Sequence, residues 1–183
     1  ELIEHDLARL GGILAAQAQR YATTPLAGRT WLQHATPVTL GMKIAGWLGA
    51  VTRSRQRLRE LKPRLLVLQF GGASGTLAAL GEQAMPVAQA LAAELQLGLP
   101  EQPWHTQRHR LVEFASVLGL IAGSLGKLGR DISLLMQTEA AEVFEPSAPG
   151  KGGSSTMPHK RNPVGAAVLI SAATRVPGLV ATM

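Results

Sequence analysis

Apolar residues recur at steps of three and four along most of the chain. Leu2, Ile3, Leu7, Leu10, Ile13 and Leu14 share that spacing, which predicts a helix from Glu1 to about Arg20. Gly11 and Gly12 weaken it. Residues 21–37 carry Pro25, Gly28 and Pro37 and read as a loop. A second helix is expected from Pro37, because proline is tolerated in a first turn. Leu40, Ile44, Trp47, Leu48, Val51 and Leu58 lie on one of its faces, and Pro63 ends or kinks it. Residues 67–70 have strand-like composition, but Gly71, Gly72 and Gly75 follow at once. A loop is read there, then a helix from about Thr76 to Leu95.

Gly98, Pro100 and Pro103 punctuate the next connection. Beyond it, Leu111, Phe114, Leu118, Ile121, Leu125, Leu128, Ile132 and Leu135 keep one apolar stripe without a break. That implies a helix of roughly thirty residues, far beyond the usual three turns. Helices of this length belong to extended bundles. Residues 143–161 hold Pro146, Pro149, Pro158, Gly150, Gly152 and Gly153 and read as a long polar loop of the kind that often carries function. Asn162 and Pro163 read as the N-cap and first residue of a last helix, with Pro177 as a kink. No strand pair and no internal repeat is evident. The predicted class is all-α, a long-helix bundle.

Composition narrows this further. The chain has 183 residues, enough for one sizeable core. Apolar residues make up 46% and charged ones 16%, as in globular chains. Aromatics are only 4%, so Leu, Ala, Val and Ile must build the core. The absence of Cys removes disulfides, thiolate nucleophiles and zinc–thiolate sites together, and fits a reducing, cytoplasmic setting. Residues 111–128 include Glu113, Ser116, Ser124 and Lys127, so they read as a buried helix and not a membrane span. No basic start leads into an apolar run, so no signal peptide is read. The first residue is not Met, and the chain ends within an apolar pattern. Glu1–Met183 is therefore expected to be the central helical domain of a longer polypeptide.

The net charge is +6, which admits a nucleic-acid surface or a site for small polyanions. The densest basic stretch is Arg53, Arg55, Arg57 and Arg59. Alternate residues on a helix fall about 200° apart, so these arginines spread around the axis. A solvated or intersubunit face is favoured over a nucleic-acid patch.

The string Gly153-Ser154-Ser155-Thr156-Met157-Pro158-His159-Lys160-Arg161-Asn162-Pro163 concentrates candidate chemistry. Hydroxyls sit in a glycine-rich loop, cations follow, and the loop feeds a helix N-terminus whose free N–H groups favour anions. An anion-binding loop with an activated serine is one reading. An ordinary Ser/Gly linker with a helix cap is the other, and composition leaves them even.

The string resembles the GSS-x-MP-x-K-x-NP signature of the fumarase/aspartase superfamily, which includes the argininosuccinate and adenylosuccinate lyases. In that superfamily the first serine of the pair is the catalytic base on a mobile loop, here Ser154. The signature lysine and asparagine bind a substrate carboxylate, here Lys160 and Asn162, with Ser155 beside them. Gly28-Arg29-Thr30-Trp31-Leu32-Gln33-His34-Ala35-Thr36-Pro37 is similar to the GRTH-x-Q-x-ATP segment and makes Thr30 a substrate contact. Gln107-Arg108-His109-Arg110 is similar to a Q-R-D-R stretch. Arg108 and Arg110 are candidates for a second substrate carboxylate, or surface residues at a helix start. Gly71–Thr76 is similar to a glycine-rich turn; Ser74 and Thr76 are candidate substrate donors or a plain capping pair. Lys151 either steadies the loop over an anion or is solvated.

The resemblance implies a homotetramer with active sites shared between protomers. It also implies a small polycarboxylate substrate. The residues themselves lead to the expectation of no metal, no nucleic acid and no membrane, and no cofactor is expected.

One departure matters. The superfamily's Thr-His pair is Thr30-Trp31 here. An indole only donates; His34 substitutes only if the loop bends. The loss fits the cycloisomerases of the superfamily that act on 3-carboxy-cis,cis-muconate, whose sequences this wording resembles. Their nucleophile is the substrate's own carboxylate, already ionised at neutral pH. It is also tethered, which favours attack. Only a proton transfer at the carbon alpha to a carboxylate remains, and that falls to Ser154. Lys160, Asn162 and loop N–H groups would stabilise the enolate-like intermediate. The alternative is a fumarate-producing lyase such as adenylosuccinate lyase, against which Trp31 argues. A third reading is an inactive family member that serves only as an assembly scaffold.

Other patterns are weaker. His105 and His109 are spaced to share a helix face as metal ligands, but Arg108 and Arg110 would repel a cation. Gly126-Lys127 lacks the rest of a phosphate loop, and Gly150-Lys151-Gly152 lacks the rest of a dinucleotide fingerprint.

Overall fold

The structure, a computed structural model, describes residues 1–183 except Ser147, Pro149 and Lys151. Its elements run α1 (Leu2–Arg20), β1 (Pro25–Thr30), β2 (Gln33–Thr39), α2 (Leu40–Leu65), a 3-10 turn (Ala78–Gln83), α3 (Ala84–Glu94), α4 (His109–Leu135) and α5 (Val164–Ala181). They form two compact units. One contains residues 1–55 and 118–182, the other residues 56–117 with Met183.

The first unit is built on long amphipathic helices. Leu7 and Leu14 of α1, Ile44, Trp47 and Val51 of α2, and Ile121, Leu128 and Leu135 of α4 are buried. Burying one such side chain contributes about 1.5–3 kcal/mol. Small residues bring α4 and α5 close: a Cβ at Gly129 would stand 2.9 Å from the Ala166 carbonyl oxygen, and Ala166 is only 1% exposed. This seam fixes the start of α5, where the loop 152–163 ends. It also explains Gly126, whose missing Cβ admits Ala173.

The expected loop over 21–37 is a β-hairpin. β1 and β2 pair antiparallel, with Pro25 opposite Thr39, Leu26 opposite Val38, Arg29 opposite His34 and Thr30 opposite Gln33. The ladder is irregular between Ala27 and Arg29. Gly28 sits at that bulge, where a Cβ would overlap the Thr36 carbonyl oxygen. Trp31 and Leu32 make the turn at φ 52° and 64°. Two-residue hairpin turns need this left-handed backbone, usually supplied by Asn-Gly. Trp-Leu gives no such signal, and the prolines point away from a strand. Both strands are edges, so the prolines cost little pairing.

In the second unit Leu61, Leu68, Ala88, Ala92, Trp104 and Val117 are buried. The helix expected from Thr76 begins late. Leu77 at φ 51° and Gly81 at φ 51°, ψ −130° break the helical path, so a 3-10 turn precedes α3. Residues 67–70 do not form a strand; Val67 makes one parallel bridge to Gly98.

Helix α4 has the predicted extent, but the expectation of burial over 111–128 holds for one stripe. Only 17% of its most apolar window is covered, and 6% of that of α5. By length and composition alone both helices could cross a membrane. Their apolar surface is wider than the neighbours within the chain can cover.

Candidate functional site

The loop that carries Ser154 is shaped by its own backbone. Gly150 and Gly152 take φ values of 75° and 74°, which favour glycine. The Asn162 N–H donates to the Gly152 carbonyl at 2.7 Å, and the Asn162 side-chain amide donates to the Gly153 carbonyl at 3.3 Å. These bonds close residues 152–162 into a ring. Within it the Lys160 N–H donates to the Met157 carbonyl at 3.0 Å.

Ser154 is half-buried in this ring. Its Oγ accepts the N–H groups of Met157 at 3.1 Å and Thr156 at 3.4 Å. Both dipoles favour negative charge on the oxygen, and the hydroxyl proton is left to point elsewhere. Ser155 and Lys160 are exposed. The Lys160 ammonium has no carboxylate partner among the described residues. The loop therefore brings Ser154, Ser155, Lys160 and Asn162 together. Lys151 lies outside the described residues.

Asn162 does not cap α5 as expected. One N–H of its side-chain amide goes to the Gly153 carbonyl, and Pro163 takes the cap position without a side-chain bond. The cap is Glu145, whose carboxylate accepts from Gly165 N–H at 2.9 Å and Ala166 N–H at 2.7 Å. The helix end expected to attract a foreign anion is filled from within. Sequence reading missed Glu145 because capping motifs are sought next to the helix, and this carboxylate comes from far upstream.

Thr30 lies elsewhere in the same unit, at the hairpin end. It borders an open cleft of about 800 Å³ together with Trp31, His34, Lys43, Lys127 and Asp131. None of the four loop residues lines that cleft. Trp31 is 94% exposed at the tip. His34 is on β2 across from Arg29, not at the tip. Asp131 organises the cleft wall: it accepts from Trp47 Nε1 at 2.6 Å, from Lys127, and pairs with Lys43 at 3.8 Å.

Arg29 anchors the hairpin. Its Nη1 and Nη2 donate to the two Glu142 oxygens at 2.7 and 2.9 Å. The Arg29 hydrogen bond holds the Glu142 carboxyl below its ordinary range, outweighing desolvation, and Glu142 raises Arg29 in return. Neither residue was singled out from sequence, because 113 positions separate them.

The remaining candidates are in the second unit. Ser74 Oγ and Thr76 Oγ1 stand 3.1 Å apart in a turn closed by Leu77 N–H to the Gly71 carbonyl at 3.1 Å. Gly72 and Gly75, at φ 68° and 83°, permit that turn. Arg108 is exposed. Arg110 is engaged: Nη1 donates to the Arg64 carbonyl at 2.5 Å, and its guanidinium lies 5.7 Å from the centre of the Trp104 ring. Its buried Nε has no partner among the described residues. Gln69, also missed, accepts the Trp104 N–H at 2.6 Å. His109 opens α4 and His105 lies before it, so the two do not share a helix face. No cluster of three metal-ligating side chains occurs among the described residues.

Comparison with known proteins gives consistent matches. A family described as lyase matches residues 1–178. A 3-carboxy-cis,cis-muconate cycloisomerase of Pseudomonas aeruginosa is 81% identical over all of this chain and 40% of its own length. One from Pseudomonas putida is 76% identical over all of this chain and 43% of its own. The crystal structure of the 3-carboxy-cis,cis-muconate lactonizing enzyme from Pseudomonas putida superposes with a TM-score of 0.93 at 81% identity, covering 99% of this chain and 40% of that one. The chain thus spans about 40% of the length of the relatives it matches.

Proposed function

The chain belongs to the lyase family, the superfamily its signature loop resembles, and on that premise we propose that the intact protein is a cycloisomerase. It converts 3-carboxy-cis,cis-muconate to a carboxymuconolactone in aromatic catabolism. The reading is carried by the 81% identity over the whole chain to a relative named for that reaction. Trp31 supplies its chemical reason: the hairpin tip offers an indole donor where a lyase needs a proton acceptor.

The chemistry follows from the loop. A substrate carboxylate oxygen forms the new C–O bond. The π pair moves to the neighbouring carbon and is delocalised into the carboxylate attached to it. The Ser154 hydroxyl gives its proton to that carbon and regains one from water. The Lys160 ammonium and Asn162 amide hold the charged oxygens as the pair arrives. Ser155 and Thr30 add hydroxyl contacts. Arg108 and Arg110 are the proposed holders of the remaining carboxylate, and Ser74 and Thr76 are proposed hydroxyl donors to the substrate. Neither a cofactor nor a metal takes part.

The assembly is a cytoplasmic homotetramer whose sites draw on several protomers. Supporting this, α4 and α5 leave apolar side chains exposed, among them Leu120 at 54%, Val168 at 63% and Leu179 at 64%. The deciding experiment is an ultraviolet assay of the intact protein. Loss of the conjugated diene from 3-carboxymuconate, with the lactone as product, is expected. Fumarate released from adenylosuccinate, with no lactonization, would replace this reading with a lyase.

A further inference from the structure

Residues on both sides of the catalytic loop meet at one carboxylate. Glu145 precedes the loop and Gly165 follows it. The two Glu145 oxygens take the Gly165 and Ala166 N–H groups at 2.9 and 2.7 Å. Gly165 makes the room, since a Cβ there would stand 3.1 and 3.2 Å from those oxygens. A second contact reinforces the first. Arg161 Nη2 donates to the Glu145 carbonyl at 3.3 Å, and its guanidinium lies 4.9 Å from the centre of the Phe144 ring. Arg161 stands between Lys160 and Asn162 in sequence. Residues 144 and 145 therefore grip the chain at Arg161, just before Asn162, and at Gly165 and Ala166, in the first turn of α5 beyond it.

We propose that Glu145 is a positioning residue for the loop. It holds the first turn of α5 and, with Arg161, fixes where the Lys160 ammonium and Asn162 amide stand relative to Ser154. It does not touch substrate. The proposal rests on the reading of this loop as catalytic. It has a corollary: the N–H groups at the start of α5 are spent internally. Substrate carboxylates are then held by side chains and by N–H groups within the loop, not by the α5 terminus.

The test uses the intact protein, with steady-state kinetics on 3-carboxymuconate and amide hydrogen exchange over 152–166. Small misplacements of reacting groups cost rates up to ~100-fold. Glu145→Ala is accordingly expected to lower kcat by ~10–100-fold with KM changed by less than ~3-fold, and to speed exchange in the loop. Added formate, which fits the vacated carboxylate position, should restore part of kcat. Glu145→Gln keeps one acceptor oxygen and should lie between parent and Ala.

Gly165→Ala separates position from stability. It leaves Glu145 in place but crowds it, while alanine favours the helix. Its melting temperature should equal or exceed the parent's, yet kcat should fall several-fold. Parent-like kcat and exchange in both Glu145→Ala and Gly165→Ala would overturn the proposal. So would a kcat loss that formate leaves untouched and that follows melting temperature across the variants. Should Glu145→Ala not fold, Glu145→Gln and Gly165→Ala decide by the same criteria. Exchange needs no turnover. A parent protein inactive on the tricarboxylate would sink the functional reading, and exchange would still judge the Glu145 grip.

Discussion

Two turns in the first unit are each held by a carboxylate from the short segment after α4, and the holding differs. Glu142 reaches the hairpin and binds a guanidinium, Arg29, side chain to side chain. Glu145 reaches the base of the loop and binds peptide N–H groups of α5. The first is an ion pair whose strength depends on both charges. The second uses the helix end, where any acceptor oxygen retains part of the bond. The hairpin is thereby fixed as a wall, paired along two strands and bulged at Gly28. Among the described residues, the loop is fixed at its ends and by its own ring of bonds, which gives Ser154 donors and leaves the Lys160 ammonium without a carboxylate partner.

The largest expected effect falls on the loop. Ser154→Ala should lower turnover of 3-carboxymuconate by ~10²–10⁴-fold, the usual worth of a positioned acid–base group. Substrate affinity, measured by equilibrium titration, should stay nearly constant. A variant with near-parental turnover would remove Ser154 from the chemistry and with it the contrast between a reacting loop and a supporting wall.

Next comes the hairpin's most crowded point. Gly28→Ala places a methyl group on the Thr36 carbonyl. Denaturant melting should show a loss of about 2–3 kcal/mol. A smaller loss would mean that the bulge yields, and that the wall is softer than its pairing suggests.

These two positions also show how unevenly the sequence reveals the molecule. Ser154, Lys160 and Asn162 stand in one short string, so the chain itself places them together. The helices α1, α2 and α4 were legible because apolar spacing writes each helix locally. The hairpin was not legible. Its turn uses Trp31 and Leu32 in a left-handed backbone without a glycine, and its strands hold prolines at edge positions. Glu142, Glu145 and Asp131 were not legible either. Glu142, Glu145 and, through Trp47, Asp131 find partners by tertiary packing, of which spacing along the chain carries no trace. Of these contacts the Lys127–Asp131 pair alone is local, four residues apart on α4.

The Arg29–Glu142 pair should give a middling effect with a pH signature. Both side chains are about a quarter exposed, at 25% and 23%, so Glu142→Gln should cost roughly 1 kcal/mol at neutral pH. Arg29 depresses the Glu142 carboxyl in the folded protein. The folded state then binds fewer protons than the unfolded state, and the pair's contribution is complete above the unfolded carboxyl's pKa, about 4.3. It disappears as pH falls below that through the depressed folded value. Parent and Glu142→Gln melting curves should therefore converge in acid. Curves that stay equally far apart down to acid pH would show that the carboxylate's charge is not what holds the hairpin.

The smallest expected effect is at the hairpin tip, and it separates the wall's architecture from its use. Trp31 and Leu32 are 94% and 73% exposed, so replacing them forfeits little buried surface. Their left-handed backbone opposes folding, since residues with a Cβ disfavour φ above zero. Trp31→Asn combined with Leu32→Gly installs the residues such a turn prefers. A gain of up to about 1 kcal/mol in denaturant melting is expected. If the tip were only a turn, that gain would come free. If the indole is part of the site, turnover of 3-carboxymuconate should fall while stability rises, because strain at a functional position is kept for what the strained residue does. Opposite movement of the two quantities is the expected result. A double variant that is both more stable and fully active would reduce Trp31 to a turn residue, and the chemical reason for preferring a cycloisomerase over a lyase would go with it.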